Sequence, residues 1–442
     1  MRHGRNDRRV RGFATVFVVV AIAIATLVLL SLQSTALRQA SAGREALARV
    51  RAEWAARAGV EATIAVLEFQ TQQGGSVTAW DLFAAMDEVS AGTLDGAEYD
   101  IRHTDDRGNE RPGVMDAHSR LNVNRMQFDD LMLLPGMTED VADAILDWID
   151  PDDVPREFGA EAGYYLALPS PYEPRNGPMR TLAELELVRG VRPEQVRGED
   201  WNMNSRLDPN EDDGDLSWPP DSANGILDQG WGAYLTAASI DQSPTPTGQE
   251  RLYLLDASEA QLVNRITGIN PLQARVILDF ASQDNARLED LIARPLPNLA
   301  SSVPNLGAPA QSVPALTEDQ IRKILEECTL HDPNGPPVPG RLNINTVGME
   351  TLQYIAGLPV GFADQLVFAR NTRPEGFTSV LDLLDIMGPV QVAQYSRLFA
   401  VESNTFVVSA RGRDVSTGIE VDVVAVIARP RLPVVIYDCT VR

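Results

Sequence analysis

The stretch FATVFVVVAIAIATLVLLSL, from Phe13 to Leu32, decides the fold. It contains neither a charged residue nor a proline, and about 20 apolar residues are enough for an α-helix to cross the hydrocarbon core of a membrane. Helical spacing of apolar and small residues continues as far as Phe69, which predicts one continuous helix over residues 13–69. We expect residues 13–32 to lie in a membrane and the last third of the helix to pack on protein.

The residues before this stretch, MRHGRNDRRVRG, hold five arginines and one acid, so the positive-inside rule keeps them on the cytoplasmic side. Three interpretations are open: a signal anchor, a secretory signal peptide, and a prepilin-like leader (residues 1–12) that is cleaved between Gly12 and Phe13. The signal peptide is disfavoured because the apolar run is long and no small-residue cleavage site closes it. The fifth mature position after such a cleavage is Phe17, where pilins usually carry glutamate.

The bulk composition restricts the function. Two or three domains fit into 442 residues, and the formal net charge of −24 repels phosphate backbones and suits divalent cations. Both cysteines, Cys328 and Cys439, follow the apolar helix, and they form either a disulfide or two free thiols. The sequence has no Ser/His/Asp constellation, no Gly-rich phosphate loop and no Cys/His metal spacing, so we predict that the protein is not an enzyme.

An internal repeat occupies the middle of the chain. RLNVN at residues 120–124 recurs as RLNIN at residues 341–345, and a weaker copy covers residues 259–292. Its asparagines suit helix N-caps and its glycines suit helix C-caps, which predicts units of short helices similar to SAM-like and helix-hairpin-helix modules. We place a first unit at residues 119–200 and further units at residues 251–402. Because no basic cluster flanks their turns, nucleic-acid binding, as in a membrane-anchored competence protein, is the alternative function and not the preferred one.

An acidic segment, residues 201–250, separates these units. Closely spaced acids and asparagines with glycines among them are typical of loops that wrap oxygen ligands around Ca²⁺. We therefore predict calcium as a cofactor, and the alternative is a solvated acidic linker without metal. The candidate ligands are Asp208, Asn210, Asp212, Asp215, Asn224 and Asp228, together with Asp150 and Asp152 of the first unit.

Period-two patterns flank the helical units. They predict strands near residues 98–103 and 114–117 before the units, and at residues 405–410, 419–427 and 432–437 after them. We expect residues 70–118 and 403–442 to form one α/β domain. The predicted fold class is α+β, with a long N-terminal helix packed on a small antiparallel sheet and a large α-helical insertion.

Several short motifs accompany the apolar helix and the terminal strands. They are Arg11-Gly12-Phe13, Leu-Asn-x-Asn at 121–124, Asp147-Trp148-Ile149-Asp150-x-Asp152, Gly159-Ala160-Glu161 with Tyr164-Tyr165, Asn176-Gly177-Pro178, and Glu184-Leu185 before Gly190. Together, these motifs resemble protein K of the general (type II) secretion pathway, a family of minor pseudopilins. The absence of a glutamate at Phe17 is usual in that family. The resemblance implies that the α/β domain of residues 70–118 and 403–442 is pilin-like.

The resemblance implies a non-enzymatic subunit at the tip of a pseudopilus for protein export, with calcium bound in the helical insertion. It implies the minor pseudopilins I and J, other pseudopilins and a prepilin peptidase as partners. It also implies a single-pass protein of the bacterial inner membrane with its C-terminal domain in the periplasm. Residues 202–228 and the weaker repeat are additions to the family pattern, so the host machine is either a type II secretion system or a related pilus.

Overall fold

The structure is a computed structural model that describes residues 7–73, 79–241, 245, 249–304, 306–429 and 432–442. Its α-helices are α1 (Asp7–Gln73), α2 (Ala79–Asp87), α3 (Phe128–Leu131), α4 (Glu139–Ile149), α5 (Ala162–Tyr165), α6 (Pro193–Arg197), α7 (Glu259–Arg265), α8 (Pro271–Ala281), α9 (Leu296–Ala300), α10 (Glu318–Glu327), α11 (Met349–Leu352), α12 (Phe362–Thr372) and α13 (Pro389–Tyr395). Short 3₁₀ helices span Ala117–Ser119, Val123–Arg125, Leu182–Leu187, Pro209–Glu211, Gly230–Ala233, Leu288–Ile292, Ala310–Ser312 and Val380–Asp385.

The strands fall into one main sheet and several short ladders. They are β1 (Ala91–Leu94), β2 (Ala97–Thr104), β3 (Glu110–Pro112), β4 (Met115–Asp116), β5 (Leu121–Asn122), β6 (Leu235–Thr236), β7 (Leu252–Tyr253), β8 (Cys328–Thr329), β9 (Leu342–Asn343), β10 (Phe399–Ala400), β11 (Thr405–Asp414), β12 (Glu420–Ala428) and β13 (Val435–Val441).

The long helix α1 is continuous, as predicted, and extends beyond the predicted bounds at both ends. Its segment from Ala14 to Gln73 is long and apolar enough to cross a membrane, and the most apolar part of that segment is fully exposed. Residues 1–6 and the side chains of Gly12 and Phe13 lie outside the described part of the chain. The leader and its cleavage site therefore stay predictions.

The second half of α1 packs on the main sheet through small residues. Ala52, Ala55 and Ala56 are fully buried, and they allow the helix backbone to approach β11 closely. A Cβ atom added at Gly412 of β11 would lie 1.8 Å from the carbonyl oxygen of Ala52. Glycine is therefore required at this crossing, because any side chain would push the helix off the sheet.

Strands from the two ends of the chain form one sheet, in the order β1-β2-β11-β12-β13. These neighbours are antiparallel, and the long insertion leaves the sheet after β4 and returns at β11. Alternate residues of β11 and β12, such as Phe406, Val408 and Val423, are buried against α1. This arrangement confirms the predicted fold class.

The insertion contains three helical units, and each is closed by a parallel ladder of two residues. β5 pairs with β6 in the first unit, β7 with β8 in the second, and β9 with β10 in the third. The second unit runs from Leu252 to Thr329, which is larger than the weak repeat at residues 259–292 indicated. The first and third units share one hydrophobic core, whereas the second has its own.

Candidate metal centre in the first helical unit

Two helices bring acidic side chains together in the first helical unit. The last turn of α4 carries Asp147, and Asp150 is its C-cap residue. The chain then forms a loop over residues 151–160 and enters α5, whose N-cap residue is Glu161. Glu161 is only 5% exposed, so the loop buries a carboxyl group beside the end of α4.

Packing and backbone hydrogen bonds hold this loop in place. The rings of Trp148 on α4 and Tyr165 on α5 meet edge to face, with centroids 5.2 Å apart. Both carboxylate oxygens of Asp147 accept the backbone N–H of Arg156, at 3.2 Å. The acidic side chains around the loop are therefore positioned by a rigid frame and not by a solvated linker.

Asp150, Asp152 and Glu161 form a cluster in which one carboxylate oxygen of each lies within 4.8 Å of the others. Among the described residues, neither oxygen of Glu161 has a hydrogen-bond partner, and the same holds for Oδ1 of Asp150 and Oδ1 of Asn176. Asn176 donates its amide to the carbonyl oxygen of Asp152, at 3.1 Å, which places it next to the cluster. Buried oxygens without donors are costly, so this set suits a cation or a group that donates hydrogen bonds.

The electrostatics of the cluster also favour an added positive charge. Burial, together with the negative charges of Asp147 and Asp150, raises the pKa of Glu161 to about 7. Burial also raises the pKa of Asp150, and the charge of Asp152 adds to this effect. The guanidinium of Arg156 lies close to two of these acids. Its Nε is 3.4 Å from Oδ1 of Asp147, and its Nη2 is 3.8 Å from Oδ2 of Asp150.

The donor set fits a hard divalent cation. All available ligands are carboxylate or amide oxygens, which Ca²⁺ accepts in numbers of six to eight and in flexible geometry. Asp150, Asp152 and Glu161 would hold the ion, and Asn176 is a fourth candidate through its free oxygen. The bound ion would supply positive charge that neutralises the carboxylates and cross-links α4, the loop and α5.

Of the sequence-predicted ligands, Asp150 and Asp152 belong to this cluster, whereas Asp208 does not. Asp208 is buried, and one of its oxygens accepts a hydrogen bond from the guanidinium of Arg411 on β11. Its other oxygen accepts the side-chain amides of Asn202 and Asn204, at 2.8 and 3.0 Å. The carboxylate of Asp208 therefore links the acidic segment to the sheet, and its role as a calcium ligand stays a prediction.

The remaining predicted ligands stay in exposed turns. Asp212, Asn224 and Asp228 each use a side-chain oxygen to accept a backbone N–H of the same loop, at 2.8 Å. Asn210 and Asp215 are exposed on the surface of this loop. Among the described residues, the acidic side chains that converge are Asp150, Asp152 and Glu161, so calcium binding at residues 208–228 stays a prediction.

The two cysteines lie in different environments, one buried and one exposed, and they do not form the possible disulfide. Cys328 is buried in the core of the second unit, where burial raises its pKa to about 12. Cys439 is exposed on β13 at the edge of the main sheet. Of the two cases left open by the sequence, the structure shows two free thiols.

The turns of the three helical units do not favour the nucleic-acid alternative. The glycine carbonyl of each turn accepts a side-chain donor from a later helix of the same unit, which ties the turn down. The pairs are Gly136 with Gln195, Gly268 with Gln320, and Gly357 with Tyr395. Acidic residues begin α4, where a phosphate-binding turn would need positive charge.

Comparisons with known proteins agree with the resemblance. The family model of type II secretion system protein K matches residues 106–198, which include the carboxylate cluster. Type II secretion system protein K of Pectobacterium carotovorum subsp. carotovorum is 43% identical over 53 residues, which are 12% of this chain. That match spans only 16% of the length of this relative.

A solved structure with a similar arrangement is the GspK-GspI-GspJ complex from the type 2 secretion system of enterotoxigenic Escherichia coli. The alignment covers 90% of this chain and 99% of the other, with 11% identity and a TM-score of 0.45. The similarity to this family therefore depends on the sequence match, in which residues 106–198 match the model of type II secretion system protein K.

Proposed function

We propose that this chain is a minor pseudopilin, a non-enzymatic subunit that initiates or caps the pseudopilus of a type II secretion system. One observation carries the proposal: a protein K segment at residues 106–198 is joined to a pilin-like body of one long helix and one antiparallel sheet. The apolar and exposed first part of α1 suits a single membrane span. The arginines before it favour the inner membrane, with the rest of the chain in the periplasm.

The size of the insertion supports a position at the tip. The three helical units occupy residues 117–404 and stand on the strands that border the insertion, β4 and β11. A head of this size would collide with neighbouring subunits inside a helical filament, whereas the end of the filament leaves it free. Phe17 is consistent with that place, because it offers no carboxylate to the N-terminal ammonium of a neighbour.

The partners that we propose are the minor pseudopilins I and J, with the prepilin peptidase acting on the leader. We also propose that calcium binds at Asp150, Asp152 and Glu161 and stiffens the head. The unpartnered buried oxygens and the mutual repulsion of these acids support a bound cation. A related pilus machine with its own small pilins is the remaining alternative for the host.

Co-purification tests the proposed function. The full chain is expressed with tagged I and J and extracted in mild detergent, with and without a calcium chelator. We expect a stoichiometric complex of the three chains that weakens when calcium is removed. If I and J form their own complex and leave this chain behind in the presence of calcium, the assignment as their tip partner is wrong.

A further inference from the structure

The strand β13, from Val435 to Val441, is the free edge of the main sheet. It pairs with β12 on one side, and no described strand pairs with its other side. Six of its seven residues are exposed.

The opposite edge strand, β1, has only four residues, and α1 packs against it. Native proteins usually protect a long edge strand with lysine, proline or a covering element. β13 contains neither residue, and Asp438 is its only charged side chain.

The hydrogen-bond pattern shows which backbone groups of β13 are available. Arg442 and Asp422 exchange both of their backbone hydrogen bonds, at 2.8 and 3.1 Å. Because antiparallel pairs alternate, the next residue opposite β12, Val441, must point its N–H and C=O away from β12, and so must Cys439. The edge therefore presents a row of donors and acceptors that an extended segment of another chain can match.

The side chains of the same residues continue the core face of the sheet. Val441 lies opposite Val423, and Cys439 lies opposite Ala425. Val423 and Ala425 are fully buried in the core under α1, so Val441 and Cys439 face the same side. They are exposed because α1 covers β2, β11 and β12. A strand added here would extend both the hydrogen-bond ladder and the apolar face.

We propose that β13 is a docking edge for a β-strand of a partner protein, and that the partner is one of the minor pseudopilins I and J. The choice of partner rests on the proposed function. The outward N–H and C=O groups require an extended segment, which excludes a helix or a lipid surface as the occupant. A second copy of the chain is disfavoured because two chains with a formal net charge of −24 each repel each other.

Cys439 is a built-in reporter for this edge. It is exposed, whereas the other cysteine, Cys328, is buried with a raised pKa and reacts slowly with thiol reagents. The rate of maleimide labelling of the full chain in detergent is measured alone and in complex with I and J. We expect the complex to slow labelling of Cys439 by about tenfold or more, because a paired strand covers it. Labelling at the rate of the free chain, in a complex that has formed, would overturn the proposal and leave the proposed function standing.

A backbone substitution tests the hydrogen bonds themselves. Val441→Pro deletes an N–H that points away from β12, so it spares the existing ladder, and Val441→Ala is the matched control that keeps this N–H. We expect the proline variant to bind I and J about tenfold more weakly, and the alanine variant to bind within about twofold of the parent. Equal binding by both variants, with equal thermal stability, would contradict strand pairing.

Two further outcomes have definite meanings. If Cys439 becomes protected in the isolated chain as its concentration rises, a second copy occupies the edge and the assigned partner is wrong. If I and J fail to bind at all, the proposed function and the assigned partner fall together.

Discussion

Gly159 shows how closely the loop around the carboxylate cluster fits its neighbours. A Cβ atom at this position would lie 1.9 Å from a carboxylate oxygen of Asp147. The glycine lets the loop pass over Asp147 and deliver Glu161, two residues later, to the cluster. In the Gly-Ala-Glu motif, Gly159 therefore provides the space for the loop beside Asp147, and Glu161 provides the carboxylate of the cluster.

Removing one carboxylate from the cluster should weaken calcium binding. We predict that Glu161→Gln lowers the affinity of the full chain for Ca²⁺ on the order of tenfold or more, because the site loses a buried charged ligand. Asp215→Asn is the matched control, since it removes the same charge from an exposed turn. Isothermal titration calorimetry measures both. A larger loss of Ca²⁺ affinity in the Asp215 variant would mean that the calcium site lies in the acidic segment.

The stability of the sheet domain should depend on His103. Burial is the main cause that lowers the pKa of His103, and the nearby charge of Arg120 lowers it as well, while its hydrogen bond to the carbonyl of Gly113 and the charge of Asp105 oppose the shift. Because the unfolded chain then binds a proton more readily, stability is full above a pH of about 6.5 and falls as the pH drops below it.

Denaturant unfolding tests this prediction on either side of a pH of about 6.5. We expect His103→Gln to lose less stability than the parent on acidification, because the variant has no imidazole at this position to protonate on unfolding. If the two proteins follow parallel pH profiles, His103 does not contribute.

At this scale the sequence indicated that acidic side chains would cluster, but it did not identify every member of the cluster. Asp150 and Asp152 were found because they follow a helix end in an acidic run. Glu161 was noticed as part of a motif and not as a ligand, and Asn176 was missed as one, because only the fold brings them to Asp152. Local spacing also does not reveal that Arg411, some 200 residues away, donates a hydrogen bond to the carboxylate of Asp208.

Among the elements, the crossing of α1 over β11 has little tolerance for change. Gly412→Ala should lower the free energy of unfolding by roughly 1 to 3 kcal/mol, because the new methyl group would collide with the backbone of Ala52. Gly43→Ala on the same helix is the control, since a Cβ there meets no atom within 4 Å. Thermal unfolding compares the two. Equal stability of both variants would mean that the helix and sheet are not in tight contact.

The N-terminus of α1 carries a prediction that comes from the sequence alone. Gly12→Ala should leave the basic leader attached, because the resemblance implies a prepilin peptidase that cleaves after a leader ending in glycine. Mass spectrometry of the membrane-extracted chain distinguishes the two lengths. Normal processing of the variant would favour the signal-anchor interpretation.

The elements themselves were largely predictable from periodicity. The apolar run and the period-two strands indicated α1 and the main sheet, because the hydrophobic pattern follows the geometry of each element. The extent of the second helical unit was missed, although Arg251-Leu252 repeats the Arg-Leu that begins the other units. Tyr253 stands where the others have asparagine, and this substitution concealed the repeat.

At the scale of the whole molecule, the chain combines a narrow anchor with a wide, acidic head. The exposed apolar start of α1 suits lipid and neighbouring helices, and its second half is committed to the sheet. The first and third units of the head share one hydrophobic core, so the three units are not three independent domains. These features together suit one end of a filament and are poorly suited to its shaft.

The most direct test of that claim is the position of this chain on isolated pseudopili. Residue 360, in the third unit, is fully exposed and offers a site for a gold-labelled tag that leaves the body and β13 untouched. Electron microscopy of pseudopili assembled with the tagged full chain then locates the label. We predict gold at one end of each filament and nowhere along the shaft. Label repeated at regular intervals along the shaft would contradict the account.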